Sequence, residues 1–283
     1  MRAFFLLIII TSVGASSAFG QIFGTVTDAP RSLALSRSDV ADVHDEWVPN
    51  PALRVDTASH LRVTLWPMPL DLPGSYSAGV AGDVPLDSLW LAGASFSRYQ
   101  WTDSYSWQFF GVQASRVFNV SGAGDSGRHA VAGIRLRYSQ ETFGTEYLPL
   151  TDIGVDLGAS LDLFPRLTLA AAVTHLVSLY SNYGSYGDSV EDRVAWLGIS
   201  YRPTSDLMID VAFESSENES PAFHGGAEYA IDPHIFVRAG ADTGTGEISG
   251  GIGVIADNFS ADFAAIRHPD LGTSISIGIG FAL

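Results

Sequence analysis

The last ten residues, Ser274-Ile275-Ser276-Ile277-Gly278-Ile279-Gly280-Phe281-Ala282-Leu283, alternate strictly. Ile275, Ile277, Ile279, Phe281 and Leu283 share one side of an extended chain, and Ser274, Ser276, Gly278 and Gly280 share the other. Period two is the mark of a strand, because successive side chains point to opposite faces. A helix would scatter the five apolar residues around its circumference. This strand has one greasy face and one small or polar face.

The same pattern recurs upstream. Ile153, Val155, Leu157, Ala159, Leu161 and Leu163 alternate with Gly154, Asp156, Gly158, Ser160 and Asp162. Ile134, Leu136 and Tyr138 oppose Arg135 and Arg137, and Leu207, Ile209, Val211 and Phe213 oppose Asp210 and Glu214. Fourteen segments read this way: 60–67, 74–82, 88–100, 105–118, 129–139, 149–163, 166–177, 192–202, 206–214, 221–230, 234–242, 246–256, 258–267 and 272–283. The faces of 88–118 stay unassigned because their pattern is mixed. An even strand number is what a single-chain bacterial membrane barrel requires. Residues 59–283 allow roughly 16 residues per strand and connection, which suits spanning strands of ~9–11 residues with short turns.

Composition agrees with a barrel whose outer wall meets lipid. Only 16% of the 283 residues are charged, against about 25% in soluble domains. The 29 glycines and the Gly, Ser and Ala of the second face suit a crowded interior better than the charged exterior of a soluble sandwich. No cysteine is present, so there is no disulfide framework and no thiolate metal site. All 15 basic residues are arginine, and a net charge of −16 argues against nucleic acid as a partner. The acidic, lysine-free balance is consistent with a salt-adapted source.

Ahead of the strands, Arg2 and the apolar run Ala3–Ile10 lead to Ala18-Phe19-Gly20, a small-x-small site that places cleavage before Gln21. The apolar run is about half the ~20 residues a membrane anchor needs. Residues 1–20 are therefore expected to be an export signal, and 21–58, which do not alternate, a hatch segment on the periplasmic side of the barrel.

That segment contains Asn50-Pro51-Ala52-Leu53. This phrase resembles the hatch motif at the start of FadL-type outer-membrane barrels and their PorV/PorQ relatives. Arg267-His268-Pro269-Asp270-Leu271-Gly272-Thr273 and Tyr201-Arg202-Pro203-Thr204 are similar to the PorV/PorQ group. The chain departs from the pattern in lacking a glycine after Ala52 and in ending on Leu283 rather than an aromatic residue. Phe281 and Leu283 still lie on the greasy face, where a membrane-assembly signal belongs. The resemblance implies an outer-membrane protein of a Gram-negative bacterium without catalytic chemistry or cofactor. It implies either a passive conduit for small hydrophobic compounds or, alternatively, a part of a type IX secretion assembly that binds partner proteins through loops 139–149 and 178–191.

Motifs of catalysis carry little here. Gly122-Ala123-Gly124-Asp125-Ser126-Gly127 lacks the strand and helix that a dinucleotide site needs, and reads as a turn-rich connection. The seven histidines show no metal-binding spacing, and Asp242–Glu247 reads as a hairpin turn rather than a calcium loop. His175, placed on the lipid face by parity, is expected to be an interfacial histidine. Parity points Arg62, Arg135, Arg137, Asp156, Asp162, Arg202, Asp210, Glu214, Glu228, Arg238 and Asp262 into the lumen, as a paired network or a polar lining. Trp66, Trp90, Trp107, Tyr138, Tyr201 and Tyr229 are expected in the interfacial girdles.

Overall fold

A computed structural model describes residues 29–42, 49–53, 58–102, 105–120, 128–144, 148–181, 193–217 and 219–283. The expected export signal, the 122–127 glycine run and the loop stretches 145–147 and 182–191 lie outside the described residues. The chain is a closed antiparallel barrel of fourteen strands in simple up-and-down order. They are β1 (His60–Pro67), β2 (Ser75–Pro85), β3 (Trp90–Trp101), β4 (Tyr105–Val120), β5 (Arg128–Phe143), β6 (Leu150–Phe164) and β7 (Leu167–Ser181). There follow β8 (Val194–Tyr201), β9 (Leu207–Ser216), β10 (Ala222–Asp232), β11 (Ile235–Asp242), β12 (Ile248–Ala256), β13 (Phe259–His268) and β14 (Gly272–Ala282). The strands fall where the alternation puts them, and β5 and β7 each run four residues beyond the segments read from sequence.

Closure follows from pairing β1 with β14, from His60↔Ala282 to Leu65↔Ile277. A closed ladder leaves no edge of unpaired N–H and C=O groups, each of which would cost several kcal/mol in hydrocarbon. No helix among the described residues is long and apolar enough to cross a membrane. Ile275, Ile277, Ile279 and Phe281 point outward and Ser274 and Ser276 are buried inside, as the alternation requires. In β3, Leu91, Ser95, Ser97 and Tyr99 face the lumen while Trp90 and Phe96 face out, which resolves the mixed stretch.

Two aromatic expectations are corrected. Trp66 and Trp107 are buried in the lumen, not in the outer girdle, because each falls on the inward parity of its strand. Trp90, Tyr138, Tyr201 and Tyr229 do face outward. The wall is also uneven in height: β4 to β7 have 15 or 16 residues each, whereas β8 and β11 have eight.

The register shifts beside two hairpin turns, at Asp162/Phe164 and Ala230/Asp232, and once inside the wall, in β7. Val155 pairs with Val177 but Leu157 pairs with Val173, so two extra residues of β7 are accommodated between these pairs. His175 sits there with a positive φ of 57° and donates its backbone N–H to Asp156 Oδ1 at 2.9 Å. Val173 and Val177, on either side, pair with Leu157 and Val155 of one face, so parity is unchanged across the bulge, and His175 itself sits inside it. Among the described residues, the ladder between β7 and β8 ends at the same level, at Thr174↔Val194.

Candidate functional site

Ahead of β1, residues 29–42 and 49–53 lie inside the barrel. A five-residue helix α1 (Pro30–Ala34) begins with proline at a first-turn position, where a missing N–H is harmless. Ser36 and Arg37, at φ 50° and 60°, then turn the chain back. Leu33, Ala34, Leu35, Val40, Ala41 and Ala52 are almost wholly buried. Going around the lumen, Pro30 rests on Gly278 of β14, Ala34 on Gly251 of β12, Val40 on Gly198 of β8, and Asn50 and Pro51 on Gly158 of β6.

These glycines are seats. A Cβ at Gly158 would stand 2.0 Å from Asn50 Oδ1, and one at Gly133 would stand 2.1 Å from the Pro51 carbonyl oxygen. Only a residue without a Cβ lets the hatch backbone come so close to the wall. Asn50 works as a staple: its Nδ2 donates to the Val40 carbonyl at 2.9 Å, and its Oδ1 accepts the Ala52 N–H at 3.0 Å. Ser115 of β4 donates its hydroxyl to the Leu53 carbonyl at 2.8 Å. Asn50, Pro51, Ala52 and Leu53 thus form one turn of chain seated against β4 to β6.

Charge holds the other half. Arg31 pairs with Asp42 at 2.7 Å and with Glu228 of β10 at 3.1 Å, and approaches Asp39 at 3.9 Å. Burial opposes its charge, yet Glu228, Asp42 and Asp39 outweigh that and raise the guanidinium pKa well above its ordinary value. Glu228 is shared with Arg238 at 2.6 Å, and Arg238 reaches Asp262. Arg202 closes on Asp42 from the end of the barrel that carries the start of β1 and the end of β14. Arg37 meets Glu247 at 3.4 Å near the opposite end. His224 Nδ1 lies 2.9 Å from the Ser36 carbonyl oxygen, and its Nε2 lies 2.9 Å from Glu214.

The remaining lumen charges pair within the wall. Arg137 contacts Asp152 at 3.1 Å and Asp156 at 3.4 Å, and Arg135 contacts Asp156 at 3.7 Å. Arg62 faces Asp83 at 3.7 Å, and Asp162 accepts the Thr168 hydroxyl at 2.8 Å. Asp210 is fully buried beneath the hatch acids. Parity located these residues; it contained no hint that Arg31, Asp39 and Asp42 would meet Glu228 and Arg202. Among the described residues, no group of three His, Asp or Glu side chains is placed to hold a metal ion.

Apolar contacts complete the site. Leu33 and Ala34 pack with Trp66, Tyr99, Tyr105, Trp107 and Ile266, backed by Phe109 and Phe143. Most of these residues lie in the half of the barrel away from the chain ends, since Trp66 is near the finish of β1 and Tyr105 begins β4. The buried indole N–H groups of Trp66 and Trp107 have no acceptor among the described residues. On the opposite wall Val40 and Ala41 pack against Ala170, Ala172, Trp196 and Ala212.

No family model and no curated protein matches the chain. Solved structures do. A Pseudomonas aeruginosa FadL homologue superposes with a TM-score of 0.56 at 12% identity, covering 90% of this chain and 97% of the homologue. The Pseudomonas putida toluene transporter TodX matches with a TM-score of 0.53 at 10% identity, covering 88% and 97% of the two chains. A TodX variant described as a monoaromatic hydrocarbon channel matches at 0.52 with 9% identity, covering 82% and 92%. At these identities the likeness is one of fold. The chain is a closed fourteen-stranded antiparallel β-barrel of the kind found among outer-membrane channels.

Proposed function

We propose that the protein sits in the outer membrane of a Gram-negative bacterium and passes small hydrophobic compounds, without catalysis. The observation that carries this reading is the aromatic cluster of Trp66, Tyr99, Tyr105 and Trp107, which forms one buried group with the hatch residues Leu33 and Ala34. An apolar body can exchange contacts with these rings at little cost, and the two indole N–H groups give an acceptor on the ligand something to bind. A hatch held by ion pairs and glycine seats blocks ions while an apolar compound works past it. The β7 bulge, where the β7–β8 ladder ends, provides a place for lateral exit to lipid. TodX and the FadL homologue support the reading through shared fold. The secretion-assembly alternative gains no support from these neighbours, and no contact in the described residues favours it.

The test is uptake of a monoaromatic hydrocarbon by liposomes carrying the purified protein. Wild type is expected to speed entry over empty liposomes, and a Trp66→Ala/Trp107→Ala double variant to lose most of that gain. Equal entry with and without protein would refute the reading.

A further inference from the structure

Charge on the outward face of the wall is one-sided. Among outward positions with described side chains the strands carry Arg98, Arg116 and Arg267, and no carboxylate short of Asp232 at the β10–β11 turn. Apart from Asp232, the described carboxylates within the ladders face the lumen, while these three arginines face lipid. Arg98 is engaged locally, donating to Gln100 Oε1 at 2.8 Å. Arg116 has no carboxylate in ion-pair reach among the described residues.

Arg116 is nevertheless held in place. It is the direct cross-strand partner of Trp90. Its guanidinium lies 5.2 Å from the Trp90 ring centroid and 5.1 Å from that of Phe118, two residues along the same face of β4. Trp90 is fixed in turn, because Asp87 Oδ1 accepts both the Leu89 and Trp90 backbone N–H groups at 2.7 and 2.8 Å. Val117 N–H donates to the Leu89 carbonyl at 2.8 Å, tying that hairpin to β4. All three side chains stand near the barrel end that carries both chain ends, at the level of the outward Tyr201 and Tyr229.

A guanidinium on a lipid-facing wall needs an anion, and it stacks on rings while its N–H fork faces outward. At the interfacial level the available anion is the phosphodiester of a phospholipid, which accepts a pair of guanidinium hydrogen bonds. We infer that Trp90, Arg116 and Phe118 form a seat for one phospholipid headgroup, with the acyl chains lying along the outward residues of β3 and β4. Phe96, Phe110 and Val112 supply that apolar track. The inference rests on the barrel lying in lipid, but not on what it transports.

The experiment is native mass spectrometry of the full-length protein, delipidated in detergent and titrated with phosphatidylglycerol, with a diacylglycerol of the same chains, or with inorganic phosphate as competitor. Wild type is expected to hold one phosphatidylglycerol more tightly than Arg116→Gln by about tenfold, roughly 1.4 kcal/mol. Arg116→Lys, which keeps the charge and loses the planar fork, should fall between them. Diacylglycerol should bind wild type and Arg116→Gln alike. Phosphatidylglycerol binding that is unchanged in Arg116→Gln and Arg116→Lys overturns the seat, and displacement by millimolar phosphate overturns its assignment to a lipid. A protein that binds neither lipid fails the membrane reading itself, an outcome distinct from the loss of one site.

Discussion

Gly158 and Arg31 do opposite work on the same segment of chain. Gly158 allows contact by having nothing to offer; Arg31 enforces it by pairing at once with a hatch acid, Asp42, and a wall acid, Glu228. Placing alanine at 158 sets a methyl 2.0 Å from Asn50 Oδ1, so the Asn50 turn must shift. Overpacking of this kind typically costs about 1–3 kcal/mol. Gly158→Ala is expected to leave the barrel folded and to raise hydrogen exchange at residues 50–53. Arg31→Gln leaves Asp42 and Glu228 facing each other's charge without their shared cation. Breaking one partner of a buried pair costs about 3–5 kcal/mol, so residues 30–42 should lose protection in the same assay. Unchanged exchange in both variants would mean the hatch is held by something else.

Among the elements, β7 is the one whose sequence and structure part company. Its run Leu167–Ser181 looks like one long strand, and only its partner reveals the two-residue excess near His175. Bulges bend a strand and end pairing locally. Removing two residues from Thr174–Leu176 should restore continuous register with β6 and raise the thermal unfolding temperature. The same change should slow hydrocarbon entry into liposomes, if the end of the β7–β8 ladder is where compounds leave. A shortened β7 with full transport would move the exit elsewhere, most simply to the far mouth of the barrel. The glycine seats were legible in outline, as glycines on inward parity. Which hatch residue each receives was not, because the hatch has no periodicity to read.

As a whole molecule the protein separates two tasks. The ladder closes through β1 and β14 by its own pairing, while the described residues 29–42 and 49–53 sit in its interior. Deleting residues 21–53 after the signal is therefore expected to leave a closed barrel that resists unfolding in cold detergent. Its ion conductance in planar bilayers should rise well above that of the full chain; equal conductance would show that the hatch does not block the lumen. Salt bears on the acidic composition. The wall carboxylates face inward and several pair with arginine, and buried pairs are screened far less than exposed ones. Thermal stability should accordingly change little between low and high salt, and a steep rise would favour adaptation to a salt-rich habitat.

Alternation in Ser274–Leu283 and its repeats determined the strands, and the small, weakly charged second face favoured a barrel in lipid over a soluble sandwich. It also determined which charges point inward, because in a closed barrel parity and side are the same thing. Tertiary structure alone decided where the hatch lies and that Arg31 is the hub joining hatch to wall. Those facts depend on residues nearly two hundred positions apart meeting across a curved interior, as Arg31 and Glu228 do. Local periodicity carries no information about such meetings; the shape of the closed wall does.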